Sequence, residues 1–251
     1  MIEKEKLLQL AKLNNIKPWQ QEKQYIQNAI LVSIAEYPLV FKGGTYLWFF
    51  HQLPRFSEDL DFTATQKLPE KIMENTLRTL DHFQIESIGK IMEGPVQGIS
   101  FRIAAKGPLY KGKQSTAYVY VEISLRENIL LETIPLSLKN ENYGFQTKIV
   151  NGMALEEVAA EKVRAIMTRD KPRDVFDLAF LIREKKIPFN EKLINQKMKY
   201  YHETFHPERF MQKAEEKKKG WKREMGYITF EKPPSVEKEL EILTNWINGE
   251  T

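Results

Sequence analysis

Apolar residues recur along this chain at two spacings, and the balance between them shifts near residue 150. Before that point, alternating runs are interleaved with helical ones; after it, helical spacing takes over. Residues 2–13 place Ile2, Leu7, Leu8, Leu10 and Leu13 at helical intervals, ending at Asn14-Asn15. Residues 19–35 predict a longer helix with Tyr25, Ile26, Ala29, Ile30 and Ser33 near one face. Pro18 suits its start, where a missing N–H costs nothing, and Pro38 closes it by pushing its predecessor out of helical geometry. Leu39-Val40-Phe41 reads as a short strand, residues 46–51 as a helix, and Pro54 marks the turn into a second strand. Residues 68–83 predict an amphipathic helix, followed by strands at 85–91 and 98–105, the latter alternating Ile99, Phe101 and Ile103. Residues 106–113 form a basic, hairpin-like loop. Residues 117–125 are the clearest strand: Val119, Val121 and Ile123 share one face, and Tyr118, Tyr120, Glu122 and Ser124 the other.

Beyond Asn151-Gly152, helices are predicted at 153–169, 173–186, 190–201, 207–224 and 235–248, with only 227–230 open to a strand reading. The pattern therefore predicts an α+β protein: a mixed sheet domain with flanking helices over residues 1–150, then a helical bundle over 151–251.

Composition changes this picture little. At 251 residues, with 42% hydrophobic and 29% charged positions, the chain is ordinary for a globular protein. The net charge of +4 permits contact with nucleic acid or nucleotide but does not demonstrate it. The absence of cysteine excludes disulfides, thiolate metal sites and a cysteine nucleophile. No apolar run reaches the ~18–20 residues that span a bilayer, and the first residues lack the apolar core of a signal peptide. The expectation is a cytoplasmic protein with no membrane contact.

Chemistry concentrates in residues 41–62. Gly43 and Gly44 let a backbone turn approach a ligand closely, and Thr45 falls at a helix start, where free N–H groups favour anions. Asp59 and Asp61 are two apart, so on a strand they point to one face while Leu60 and Phe62 point into a core. Such a pair suits Mg²⁺, which takes carboxylate and phosphate oxygens; the alternative is a surface turn cluster. A two-metal phosphoryl-transfer site wants a further carboxylate from a neighbouring strand. Glu122 is the candidate, against the plain reading of an exposed strand glutamate. Arg55 and Ser57 either support phosphate binding or brace the loop, and an Arg–Asp structural pair competes with both. In 153–169, Lys162 interrupts the apolar stripe of Leu155, Val158, Ala159, Val163 and Ile166, so it must be paired, reach water or face a ligand. Asp174 fits a helix cap, and Asp177 fits a pair with Arg173 or a lysine. His202-Glu-Thr-Phe-His206 matches a zinc-protease pattern, but it lies between predicted helices and directly before Pro207, so a chance match is expected.

Gly43-Gly44-Thr45, an intervening helix and Arg55-Phe-Ser-Glu-Asp-Leu-Asp-Phe62 resemble the first motif of the AbiEii/AbiGii-type nucleotidyltransferases. These are toxin-like proteins with a minimal, DNA polymerase β-like fold. Residues 155–165 resemble the family's third motif and 173–178 its last, so the resemblance extends to about residue 182. It implies a nucleotidyltransferase-like sheet domain and a helical domain that completes the nucleotide cleft. Asp59, Asp61 and Glu122 would hold one or two Mg²⁺ ions, and Gly43, Gly44, Thr45, Arg55 and Ser57 would cradle an NTP. Lys162 would face the phosphates, and Asp174 or Asp177, with Asp177 favoured, would serve the active site. The implied reaction moves NMP from NTP to an acceptor hydroxyl, with tRNA or another RNA as acceptor, in the toxin of a toxin–antitoxin or phage-defence pair with a cognate antitoxin. A protein or small-molecule acceptor, or a non-catalytic nucleic-acid-binding relic of the fold, are the alternatives.

Overall fold

The computed structural model, which describes residues 1–93, 98–139 and 141–250, begins with two helices, α1 (Lys4–Leu13) and α2 (Pro18–Ile34). α2 starts at its proline, and Gln20 reaches back to accept the Lys17 N–H at 2.9 Å, satisfying a donor the first turn leaves open. The chain continues through β1 (Leu39–Lys42), α3 (Gly43–His51), β2 (Leu60–Ala64), α4 (Ile72–His82), β3 (Ser87–Ile91), β4 (Gly98–Ala105), β5 (Ala117–Ser124), β6 (Ile134–Leu138) and β7 (Lys148–Gly152). The strands join in one mixed seven-stranded sheet, ordered β3-β4-β5-β2-β1-β7-β6. β2 runs antiparallel to β1 and parallel to β5.

Alternation decides which face is dry. Phe41, Leu60, Phe62, Phe101, Ile103, Val119, Val121 and Ile123 are all buried, and α2 packs against both β5 and α4. Phe41 and Phe62 stack at 5.0 Å between ring centres. Each such buried side chain stabilises the fold by about 1.5–3 kcal/mol relative to exposure. The opposite face carries Asp61, Glu122 and their neighbours.

The remaining helices are α5 (Leu155–Thr168), α6 (Pro172–Lys185), α7 (Glu191–Met198), α8 (Pro207–Glu216), α9 (Lys218–Ile228) and α10 (Val236–Asn248). The chain folds as two compact units. The first comprises Met1–Phe50, Phe56–Ile129 and Thr133–Gly152; the second comprises His51–Arg55, Leu130–Glu132 and Met153–Thr251. The short segments belong to the helical unit for identifiable reasons. Glu157 on α5, fully buried, accepts the backbone N–H groups of Leu130 and Leu131 at 2.9–3.1 Å and an ion pair from Lys197 at 2.5 Å. Arg55 forms a β-bridge with Thr229.

Three features depart from the sequence-based expectation. β6 and β7 follow β5 where no strand is predicted. β6 is the sheet edge and contains Pro135, which an edge tolerates because no ladder N–H is required of it. The single helix expected over 207–224 is two, divided at Lys217. Of the stretch 227–230 considered as a strand, Tyr227 and Ile228 end α9, whose Trp221, Met225 and Ile228 are buried at helical spacing, while Thr229 is extended and makes the single β-bridge to Arg55.

α3 begins at Gly43, directly after β1, with Gly43 at φ +79°, a conformation that strains any residue with a Cβ. A Cβ there would stand 2.2 Å from Asp61 Oδ2. Gly43→Ala is therefore expected to destabilise the fold by about 2 kcal/mol or more, read as a lower urea midpoint. A midpoint equal to wild type would contradict this account of the turn.

Candidate active site

The register of the sheet assembles the acidic residues. Lys42 on β1 is opposite Asp61 on β2, Asp61 is opposite Glu122 on β5, and Glu122 is opposite Ser100 on β4. Register partners share a face, so these four form one row across four strands. Asp59 stands one residue before β2. Lys42 and Glu127, both buried, form an ion pair of 2.6 Å at the row's β1 end.

The segment leading into β2 is held through its main chain. Gln27, fully buried on α2, donates to the carbonyls of Ser57 (3.1 Å) and Glu58 (2.9 Å). Thr45, in the first turn of α3, donates its hydroxyl to the Asp59 carbonyl at 2.5 Å. Lys23 pairs with Glu58. Gly44 is buried beside Thr45 in the same turn. The Thr45 hydroxyl thus fixes the acidic segment.

Burial pushes the Asp59 carboxyl up to about 6, reinforced by Asp61, opposed by Lys23, and raised further by Glu58 and Glu122. Carboxylates this close repel, and a dication is what relieves such repulsion. Among the described residues, no three His, Cys, Asp or Glu side chains close around a metal position as placed. The donor set nonetheless fits a hard dication: Asp59, Asp61 and Glu122 offer only oxygen, from β2, β5 and the residue that leads into β2.

The helical unit contains the second group of sequence candidates. Arg55, 2% exposed, grips Asp177 with two parallel bonds of 2.6 Å, Nε to Oδ1 and Nη2 to Oδ2. Lys162 does lie on the buried stripe of α5, and it bridges Asp174 Oδ1 at 3.0 Å and Asp177 Oδ2 at 2.5 Å. Arg169, just past α5, makes a second bidentate grip, on Asp174 at 2.7 and 2.8 Å. Asp174 lies in the first turn of α6, where the helix dipole favours negative charge, and Asp177 follows one turn later. Burial acts to raise both carboxyls, but Lys162 and Arg169 hold Asp174, and Arg55 and Lys162 hold Asp177, below the ordinary carboxylate range. Three cations meet two carboxylates in this network.

Reading by sequence leaves out Gln27, Glu127 and Arg169. Gln27 carries a usable signal, a polar residue among the apolar positions of α2; Glu127 and Arg169 lie outside regular elements, where periodicity gives none. His51 is half-buried, its pKa lowered to about 4 by burial and then by Lys185. His202 ends a 3-10 turn and His206 precedes α8, so the His-Glu-x-x-His residues do not share a helix face.

Two outcomes are expected. In metal-free buffer, folded Asp59 keeps its proton up to about pH 6, whereas unfolded it loses it near 3.8. Stability from this group is thus fully present below the unfolded value and declines as pH rises through the folded one. Asp59→Asn should gain stability relative to wild type between about pH 4 and about pH 6, in urea midpoints measured across that window; a pH-independent difference would exclude the effect. Arg55→Met, which leaves the buried Asp177 with Lys162 as its remaining described cation, should cost about 3 kcal/mol. Adding Asp177→Asn should recover part of that loss in a double-mutant cycle, and strict additivity would show that the two side chains are not coupled.

A search of curated protein sequences found no significant match. Among solved structures, the chain is similar to JHP933 from Helicobacter pylori, with a TM-score of 0.62 at 19% identity, covering 92% of this chain and 91% of that one. It is also similar to MenT4, a nucleotidyltransferase toxin from Mycobacterium tuberculosis H37Rv, with a TM-score of 0.59 at 19% identity, covering 91% and 85%. These likenesses show the fold. The model of the nucleotidyl transferase AbiEii toxin family, type IV toxin–antitoxin system, matches residues 26–243, which include the acidic row and the whole Arg55–Lys162–Asp177 network, and the chain belongs to that family of nucleotidyltransferases.

Proposed function

We propose that this toxin nucleotidyltransferase transfers NMP from an NTP to an acceptor hydroxyl on RNA, with the 3′ end of tRNA as the favoured acceptor, in a Mg²⁺-dependent reaction. The observation that carries this reading is the Asp61–Glu122 register pair with Asp59 beside it: oxygen donors on adjoining strands of a rigid sheet. Asp59, Asp61 and Glu122 would hold Mg²⁺, which supplies charge neutralisation at the triphosphate and at the attacking hydroxyl. Gly43 and Gly44 let the start of α3 approach phosphate oxygens with main-chain N–H groups, and Ser57 lies in the clamped segment next to the acids. Lys162 takes the phosphate role that the family resemblance gives it, with Arg55 and Asp177 fixing its position. Catalysis then consists of positioning plus electrostatics, as phosphoryl transfer generally does. A cognate antitoxin is the expected protein partner.

The test is incubation of the purified protein with each α-³²P-labelled NTP, Mg²⁺ and total RNA, beside Asp61→Asn and Glu122→Gln. Label is expected in tRNA-sized species, falling on the order of a hundredfold or more in either variant and disappearing with chelator. Full labelling by both variants would remove the acidic row from the mechanism. Label confined to protein would replace the acceptor.

A further inference from the structure

The face that carries Asp61 and Glu122 continues away from them as something other than an ordinary polar sheet surface. β5 turns Tyr120 and Tyr118 to the same side as Glu122. Sheet register adds Arg102 beside Tyr120 and Ala104 beside Tyr118, then Lys90 beside Arg102 and Ile88 beside Ala104 on β3. Tyr118 is 40% and Ile88 73% exposed, Lys90 is exposed, and Tyr120 and Arg102 are half-buried. The Arg102 guanidinium lies 4.8 Å from the centre of the Tyr118 ring, and its Nε is buried with no hydrogen-bond partner among the described residues. A buried donor left unbonded is costly unless a ligand completes it.

Beyond Tyr118 comes the basic loop between β4 and β5. It is anchored rather than loose: the Leu109 N–H donates to Glu22 on α2, and Gly107 packs so closely that a Cβ would stand 2.5 Å from the Glu22 carboxylate. Lys106 lies over the Tyr110 ring at 5.4 Å, and Lys111 and Lys113 are exposed. Glu122, Tyr120, Tyr118 and the loop lysines therefore follow one another along a single line. At about 3.3 Å per residue, Glu122 and Tyr118 are separated by about 13 Å and the two rings by about 7 Å.

We propose that this face, centred on Tyr118, Tyr120 and Arg102, is a stacking platform for the single-stranded end of an RNA acceptor, an inference that rests on the nucleotidyl-transfer reading above. Exposed rings with interleaved cations bind unpaired bases, because every base has a π-face and every phosphate a charge. A mononucleotide would cover one ring and leave the remaining ring and the loop lysines without a role; the length of the track fits a polynucleotide. A duplex keeps its base faces stacked internally and cannot offer them. The acids at one end of the line are where the terminal hydroxyl is needed.

The experiment is fluorescence anisotropy of the full chain with a short labelled single-stranded RNA and with a blunt duplex of matching sequence, both in chelator without NTP. Wild type should prefer the single strand. Tyr118→Ala/Tyr120→Ala should bind it at least about tenfold more weakly, whereas Tyr118→Phe/Tyr120→Phe should bind as wild type, since the rings remain. Arg102→Ala should lower the slope of log affinity against log salt by about 0.7. Wild-type affinity in the alanine pair, equal affinity for the duplex, or no binding by wild type would each overturn the platform. Ring-dependent binding by a wild-type protein that transfers no label would overturn the nucleotidyl-transfer reading and leave the RNA-binding face standing.

Discussion

The sheet unit depends on the contact between Gly43 and Asp61. β1 passes into α3 without a loop, and one residue in the left-handed region achieves the change of direction. Only a residue without a Cβ leaves room there for the Asp61 carboxylate. The same turn brings Thr45 within reach of the Asp59 carbonyl, so the start of the helix and the start of β2 fix each other. Gln27 holds the preceding carbonyls from α2. All three clamps act on main-chain oxygens. The segment that carries Asp59 into β2 is thereby positioned by hydrogen bonds to its backbone.

Two opposite treatments of charge follow within the chain. Near Asp59, burial lifts the carboxyl's pKa and the like charge of Asp61 lifts it further. Around Asp174 and Asp177, burial is far more complete, yet both acids stay ionised because three cations surround them with bidentate or bridging geometry. Burial alone would make these two sites behave alike; the sign of the neighbouring charge separates them. The first arrangement is the one to which the proposed function assigns a cation, since gathered carboxylates are what a dication stabilises. The second is internally satisfied and rigid, the usual condition of a support.

Much of this was legible in the residues, for reasons that differ by element. β5 announces itself because one face is buried and the other wet, which forces strict alternation, and the same parity identifies Glu122 as a partner for Asp61. α5 is readable because its apolar stripe of Leu155, Val158, Ala159, Val163 and Ile166 repeats at helical spacing, with Lys162 as the break that requires partners; the buried Glu157 and Glu161 beside it answer to Lys197, far along the chain. β6 and β7 are not: exposed Ile134 and Ile149 and the edge proline blur the two-residue period. The end of α9 misleads because Tyr227 and Ile228 favour strands locally, and packing of Trp221 and Met225 overrides that preference; Thr229 just beyond keeps it, in a single bridge to Arg55. The unit boundaries are obscure for another reason. Residues 51–55 and 130–132 join the helical unit through ion pairs and single hydrogen bonds, which leave no periodic trace.

Lys162 shows why a residue's pattern and its role are separate questions. Its place in an apolar stripe demands compensation, and Asp174 and Asp177 provide it. That does not compete with a phosphate role. Each carboxylate has a second bidentate cation of its own, Arg169 for Asp174 and Arg55 for Asp177, so neither would be stranded if the Lys162 ammonium turned part of its hydrogen bonding to another anion. An ammonium has three donors and no preferred plane, and can divide them among partners; a guanidinium fork committed to a carboxylate cannot. In the mechanism proposed here, the two arginines are therefore the fixed members of the network and the lysine the adaptable one, which is the division of labour a phosphate-binding group held in a rigid support requires.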